Sequence, residues 1–283
     1  MEFEMKKILA IAFVIAVVAT AVITMRSTRI RPPVVAHQIA TGSVADVNFP
    51  SSVMTNPIVS NILQQPNRAL PPSRIPRLSL SEEQKLIETY RQIKLPSARF
   101  GITVALAFGG GDAAAEAFRF SLHEEFVGQP LEFREANMLF WVARYLGVLA
   151  ERSPAARELL SKACRPEYWK NVTLWKSVRD TPSMLASYSI QGVGLLPDAK
   201  LQLQAFTNGG LTRAEPRRLL GAVVDAACYA DQIEMFGRQM FFDRIFAQEA
   251  SFSYYQQWKA SEKAQPWLRW AEANGLPVSP QGP

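Results

Sequence analysis

The chain has 283 residues, long enough for one folded domain of roughly 200 residues behind an N-terminal stretch that does not read as globular. Its formal charge of +6 points to nucleic acid only until it is located: Arg26, Arg29, Arg31, Arg68, Arg74 and Arg77 face Asp46 alone between residues 26 and 77, and the remainder is near neutral. Basic charge beside a membrane meets lipid phosphates more readily than a specific duplex, so no nucleic-acid partner is expected. Two histidines, one of them His37 in that stretch, exclude a histidine-rich metal site.

Lys6 and Lys7 precede "ILAIAFVIAVVATAVITM", residues 8–25, a run without charge or proline. At 1.5 Å per residue it just crosses a hydrocarbon core of about 30 Å. This predicts a single-pass anchor over residues 1–25 that partners the lipid bilayer through residues 8–25. A cleaved signal peptide competes, because Ala19, Thr20 and Ala21 form an A-x-A-like site; cleavage there releases a secreted domain. The apolar run continues past that site to Met25 and arginines follow, which suits an anchor better. Positive charge is nearly balanced across the run. The expected orientation has the short lysine-bearing tail inside and the domain extracytoplasmic, the alternative being a cytoplasmic domain.

Residues 26–80 read as a disordered, proline-rich basic linker. Pro32, Pro33, Pro50, Pro57, Pro66, Pro71, Pro72 and Pro76 interrupt regular structure, although "NPIVSNIL" can dock on the domain or a partner. Helices are expected over residues 81–275, with a frayed tail at 276–283. Ser81 and Gln84 form a capping box ahead of Leu86, Ile87, Tyr90 and Ile93. The clearest helix runs over residues 134–150, with Ala136, Leu139, Phe140, Ala143, Leu146, Gly147 and Ala150 on one face; Ala143 and Gly147 mark where the helices of a pair come close. Ser153 before Pro154 and Thr181 before Pro182 start further helices, as does a capping box at Thr212 and Glu215 before Pro216. Cys164 and Cys228 fall mid-helix in separate segments, where buried free thiols are common.

Four segments share one layout of apolar helix, tight turn and amphipathic helix: "FGITVALAFGGGDAAAEAFRFSL", "LFWVARYLGVLAERSPAARELLSKA", "LASYSIQGVGLLPDAKLQLQAF" and "LLGAVVDAACYADQIEMFGRQMFF". Their turns fall near residues 110, 151, 195 and 231, a spacing of about 36–45 residues. Over residues 97–246 this resembles HEAT repeats. The resemblance implies an all-α solenoid of stacked helix pairs that works as a protein- or peptide-binding scaffold rather than an enzyme.

One stretch argues otherwise. Gly109, Gly111 and Ala114 match G-x-G-x-x-A, and residues 102–108 can pass for a buried strand, so an enzyme with a dinucleotide site at residues 109–114 is the alternative. Against it, no alternation of strands and helices follows, no P-loop lysine follows the glycines, and Glu132 opens a helix instead of ending a strand. The competing assignment ends one helix at residues 109–111 and caps the next with Asp112. His123 with Glu124 and Glu125 lacks the second histidine of a zinc-protease helix, and no catalytic residue, metal ligand or cofactor is assigned. The late aromatic residues are expected to cap the open end of the stack, with Tyr254, Tyr255 and Trp258 the candidates for an interaction surface.

Overall fold

A computed structural model describes residues 47–64, 74–93, 95–120, 133–172, 180–211, 216–245 and 251–276, all within the unit Val35–Pro280. The apolar run 8–25, His123, Glu132, Thr212 and Glu215 lie outside the described residues. Among those described there are helices and no β-strand, which makes the fold all-α. In chain order they are α1 (Ser51–Met54), α2 (Pro57–Gln64), α3 (Leu80–Gln92), α4 (Pro96–Gly109), α5 (Asp112–Arg119), α6 (Phe133–Leu149), α7 (Pro154–Ala163), α8 (Thr181–Val193), α9 (Ala199–Ala205), α10 (Arg217–Phe236), the short α11 (Arg238–Met240), α12 (Ser251–Lys259) and α13 (Gln265–Ala273).

Local chemistry sets where these helices begin. Ser79, two residues ahead of the expected Ser81, caps α3: its hydroxyl accepts from the Glu82 amide at 3.3 Å while Glu82 accepts from the Ser79 amide at 2.7 Å. The box therefore closes with glutamate rather than Gln84, putting an acid in the first turn, where the helix dipole favours it. Ser153 caps α7 as expected, accepting from the Ala156 amide at 3.1 Å, with Pro154 at the first helical position. For α8 the cap is Asp180, accepting from the Ser183 amide, and Thr181 is already helical.

The helices pack in two rows. α2, α4, α6, α8 and α10 each lie against the next in that order, while α3, α5 and α7 do the same in a second row, with α9 against α10. The closest crossings lie between successive members of the first row, not within a sequential pair. A Cβ built on Gly147 of α6 would stand 1.9 Å from the Gly192 carbonyl oxygen of α8, and one on Gly194 would stand 2.3 Å from the Ala226 carbonyl oxygen of α10. Leu106, Leu146, Leu185, Ile190, Leu203 and Val223 fill the space between and around the rows.

Two departures from the sequence expectation concern the ends of this arrangement. Residues 51–64, placed in the linker, form α1 and α2, and Val53, Val59, Ile62 and Leu63 are fully buried. The proline that interrupts the chain at residue 57 starts α2, where a missing amide costs nothing. Packed on α4, this helix covers a flank that would otherwise be an apolar edge. The fourth turn comes at Gly237 rather than near residue 231, because α10 runs through Asp231 to Phe236 and ends where Gly237 takes φ +80°. Asp231 is tolerated inside because the indole of Trp258 donates to it at 2.7 Å and Lys200 pairs with it at 2.8 Å. Cys164, at the C-terminal end of α7, and Cys228, within α10, are free and buried; burial raises both thiols, Cys164 to about 12.

Glu234 ties α9, α10 and the turn before α13 together from the outside. Hydrogen bonds from Lys200 and Lys263, the latter at 2.7 Å, hold its carboxyl down at about 2. A carboxyl whose folded pKa is depressed stabilises the fold above its unfolded value and loses that contribution as pH falls through the folded one. The difference in Tm between the parent and Glu234→Gln is therefore expected to be full at about pH 6, to shrink below about 4.5 and to close toward 2. A difference that persists unchanged at the acid end contradicts the pairing.

Candidate interaction face

Three helices of the first row carry a polar residue within three positions of a small one: Arg144 before Gly147 in α6, Gln191 before Gly192 in α8, and Asp225 before Ala226 in α10. The close crossings bring these three together. Because Gly147 lets α6 and α8 meet backbone to backbone, Arg144 Nε reaches Gln191 Oε1 at 2.6 Å. Because Gly194 does the same for α8 and α10, Gln191 Nε2 reaches Asp225 Oδ2 at 2.8 Å. The result is a hydrogen-bonded row across three helices, with Arg144 and Asp225 half-buried at its ends.

Aromatic rings frame this row. The Arg144 guanidinium lies over Trp141 at 5.1 Å and over Tyr188 at 4.5 Å, and Tyr188 stacks on Phe140 with centroids 4.4 Å apart. Flanked in this way, the guanidinium loses little rotamer freedom when it bonds, and cation–π attraction adds to the hydrogen bond. Burial raises the Asp225 carboxyl, opposed by the Gln191 hydrogen bond and then by the charge of Arg144. Burial likewise pushes the Tyr229 phenol up to about 12. A strip that combines a positioned arginine, tyrosines and a carboxylate has the composition of binding hot spots.

The glycine stretch is a helix–turn–helix corner. Residues 102–108 belong to helix α4, so the strand that a dinucleotide fingerprint needs is not there. Gly109 is covered by the segment before α3: Leu78 donates its amide to the Gly109 carbonyl at 2.8 Å, and a Cβ at Gly109 would meet the Pro76 carbonyl oxygen at 2.7 Å. At the start of α5 the Ala114 amide, which would face a pyrophosphate, donates to the buried carboxylate of Glu83 at 3.2 Å. Asp112 is not the cap. It is the first residue of α5 and accepts from the Ser153 hydroxyl, while Glu83 reaches in from α3. Ala114 itself is fully buried. Thermal-shift titrations of the full chain with NAD, NADP, FAD and ATP are expected to show no change, and Glu83→Ala to cost about 0.5–2 kcal/mol, as loss of a helix cap does. A saturable rise in Tm with any of these nucleotides would falsify that assignment.

Trp258, one of the three candidate surface residues, is only 1% exposed, so it is a cap residue and not a contact for a partner. Tyr255 and Tyr254 are half-buried, the first tilted against Trp258 and the second edge-on to Phe236. None of the three lies in the Arg144 row.

Sequence reasoning missed that row, and it missed the turn arginines. Arg152 donates to the last carbonyls of α4, at 2.6 Å to Ala107 and 3.4 Å to Gly110, and Arg238 donates to the Leu195 carbonyl at 2.7 Å. Between them, Arg157 pairs with Asp198 at 2.9 Å. Each arginine thus reaches from one helix pair to the turn of a neighbouring one, where a cation meets the negative end of a helix or an acid. Single polar residues beside glycine or alanine, and arginines recurring at the turns, were the available signals. No helix among the described residues is long and apolar enough to cross a membrane. Comparison with protein-family models, curated proteins and solved structures finds no match.

Proposed function

We propose that this chain is a membrane-tethered binding scaffold: an α-solenoid of HEAT type held at the bilayer by residues 8–25, with a protein or peptide as its ligand. The observation that carries the reading is the order of the rows, in which the first helices α2 to α10 stack in turn and α3, α5 and α7 stack beside them, while arginines link successive turns. That order supports an α-solenoid, a fold whose repeats present an extended surface. Arg144, Tyr188 and Asp225 are the contact residues assigned to that surface, with buried Gln191 bridging them. Tethering raises the local concentration of the scaffold toward anything else held at the membrane.

The test uses the full chain in its own membrane. A photo-crosslinking side chain at Tyr188 is expected to capture a defined protein, and the capture is expected to disappear with Arg144→Glu; the same probe at Glu158, exposed on α7, is expected to capture nothing. Equal labelling from both sites contradicts the assigned face. For the tether, the chain is expected to resist a high-salt wash and leave with detergent, whereas a mature N-terminus at Val22 contradicts the anchor.

A further inference from the structure

Repeat stacks join neighbours to neighbours. Here one contact skips two helices of the first row. After α10 the chain reverses at Gly237, whose φ of +80° suits glycine and whose surroundings are open, and runs back across the turn edge. Arg238 binds the Leu195 carbonyl at 2.7 Å in the α8–α9 turn and pairs with Glu151 at 2.5 Å in the α6–α7 turn. Its guanidinium also lies over the Phe242 ring at 5.0 Å. Phe242, buried, meets Phe108 near the end of α4 edge-on at a centroid distance of 5.0 Å, and Phe241 beside it is fully buried against Tyr229 of α10.

We propose that residues 237–245 are an intramolecular clasp that joins the end of α10 to α4, with α6 and α8 between them in the first row. A single arginine spans two turns and orients the ring that reaches the third, so the clasp forms as a unit. Phe108 also packs edge-on against Tyr145, at 5.8 Å, so seating Phe242 fixes the ring that joins α4 to α6. Opening the clasp uncovers Phe108 and frees the end of α4, while α13, packed on α10, is untouched. The inference rests on contacts within the chain and holds whatever ligand the Arg144 row binds.

The test is hydrogen exchange on the full chain in detergent, comparing the parent with Phe242→Ala and Gly237→Ala. The second variant strains the reversal without removing a buried side chain, so it remains informative if the first unfolds. Amides at residues 104–110, remote in sequence from both substitutions, are expected to exchange about tenfold faster in each folded variant, with α13 unchanged. Acceleration confined to residues 237–245 in the folded variants would overturn the clasp.

Discussion

Gly147→Ala is expected to be among the most damaging single-methyl additions in the chain, costing at least the upper part of the roughly 1–3 kcal/mol typical of an overpacked core. The added carbon would stand 1.9 Å from a backbone oxygen of Gly192, and neither helix has a side chain there that can turn aside. α6 and α8 must separate, which also stretches the Arg144–Gln191 hydrogen bond. Gly221 supplies the control. It lies in α10 with nothing within 4 Å of a built Cβ. There, alanine is expected to stabilise by about 0.5–1 kcal/mol through reduced freedom of the unfolded chain. Denaturant midpoints for the two variants are therefore expected to move in opposite directions from the parent. Movement of both in the same direction contradicts the crossing.

Trp258→Ala is expected to cost about 3–5 kcal/mol, the range for emptying a buried aromatic site. The indole is nearly inaccessible, and its loss also removes the hydrogen bond that satisfies buried Asp231. Trp258→Phe keeps most of the volume but not the donor, so it is expected to fall between the parent and alanine in urea unfolding. If Trp258→Ala leaves the unfolding midpoint unmoved, the side chain is not part of the cap.

How far the fold was legible in the sequence follows from which interactions are local. The helix expected over residues 134–150, found over Phe133–Leu149, and the Ser153 cap are specified by side chains within a few positions of each other, and both are legible in the sequence. The fourth turn was misplaced because what carries α10 through Asp231 comes from elsewhere in the chain, from Trp258 and Lys200. The linker assignment failed over residues 51–64 for a related reason: four apolar residues among prolines are few for a core by themselves, and they become one only against α4.

The candidate face was harder to read still. Arg144, Gln191 and Asp225 are distant in sequence, and beyond a nearby glycine or alanine nothing local distinguishes them from surface polar residues. They meet only because Gly147 and Gly194 allow three backbones to approach. The late aromatic residues were legible as packing residues, but composition alone could not tell buried Trp258 from the half-buried tyrosines beside it. The glycine corner is the converse case: a local match to a phosphate-binding pattern, decided by Glu83 and Leu78 reaching in from the preceding segment.

An experimental structure of the full chain in detergent tests the central claim most directly. The account predicts α4, α6, α8 and α10 side by side in that order, Gly147 against Gly192, and the Glu83 carboxylate on the Ala114 amide. A β-strand leading into Gly109, or α6 and α8 apart from one another, would contradict it.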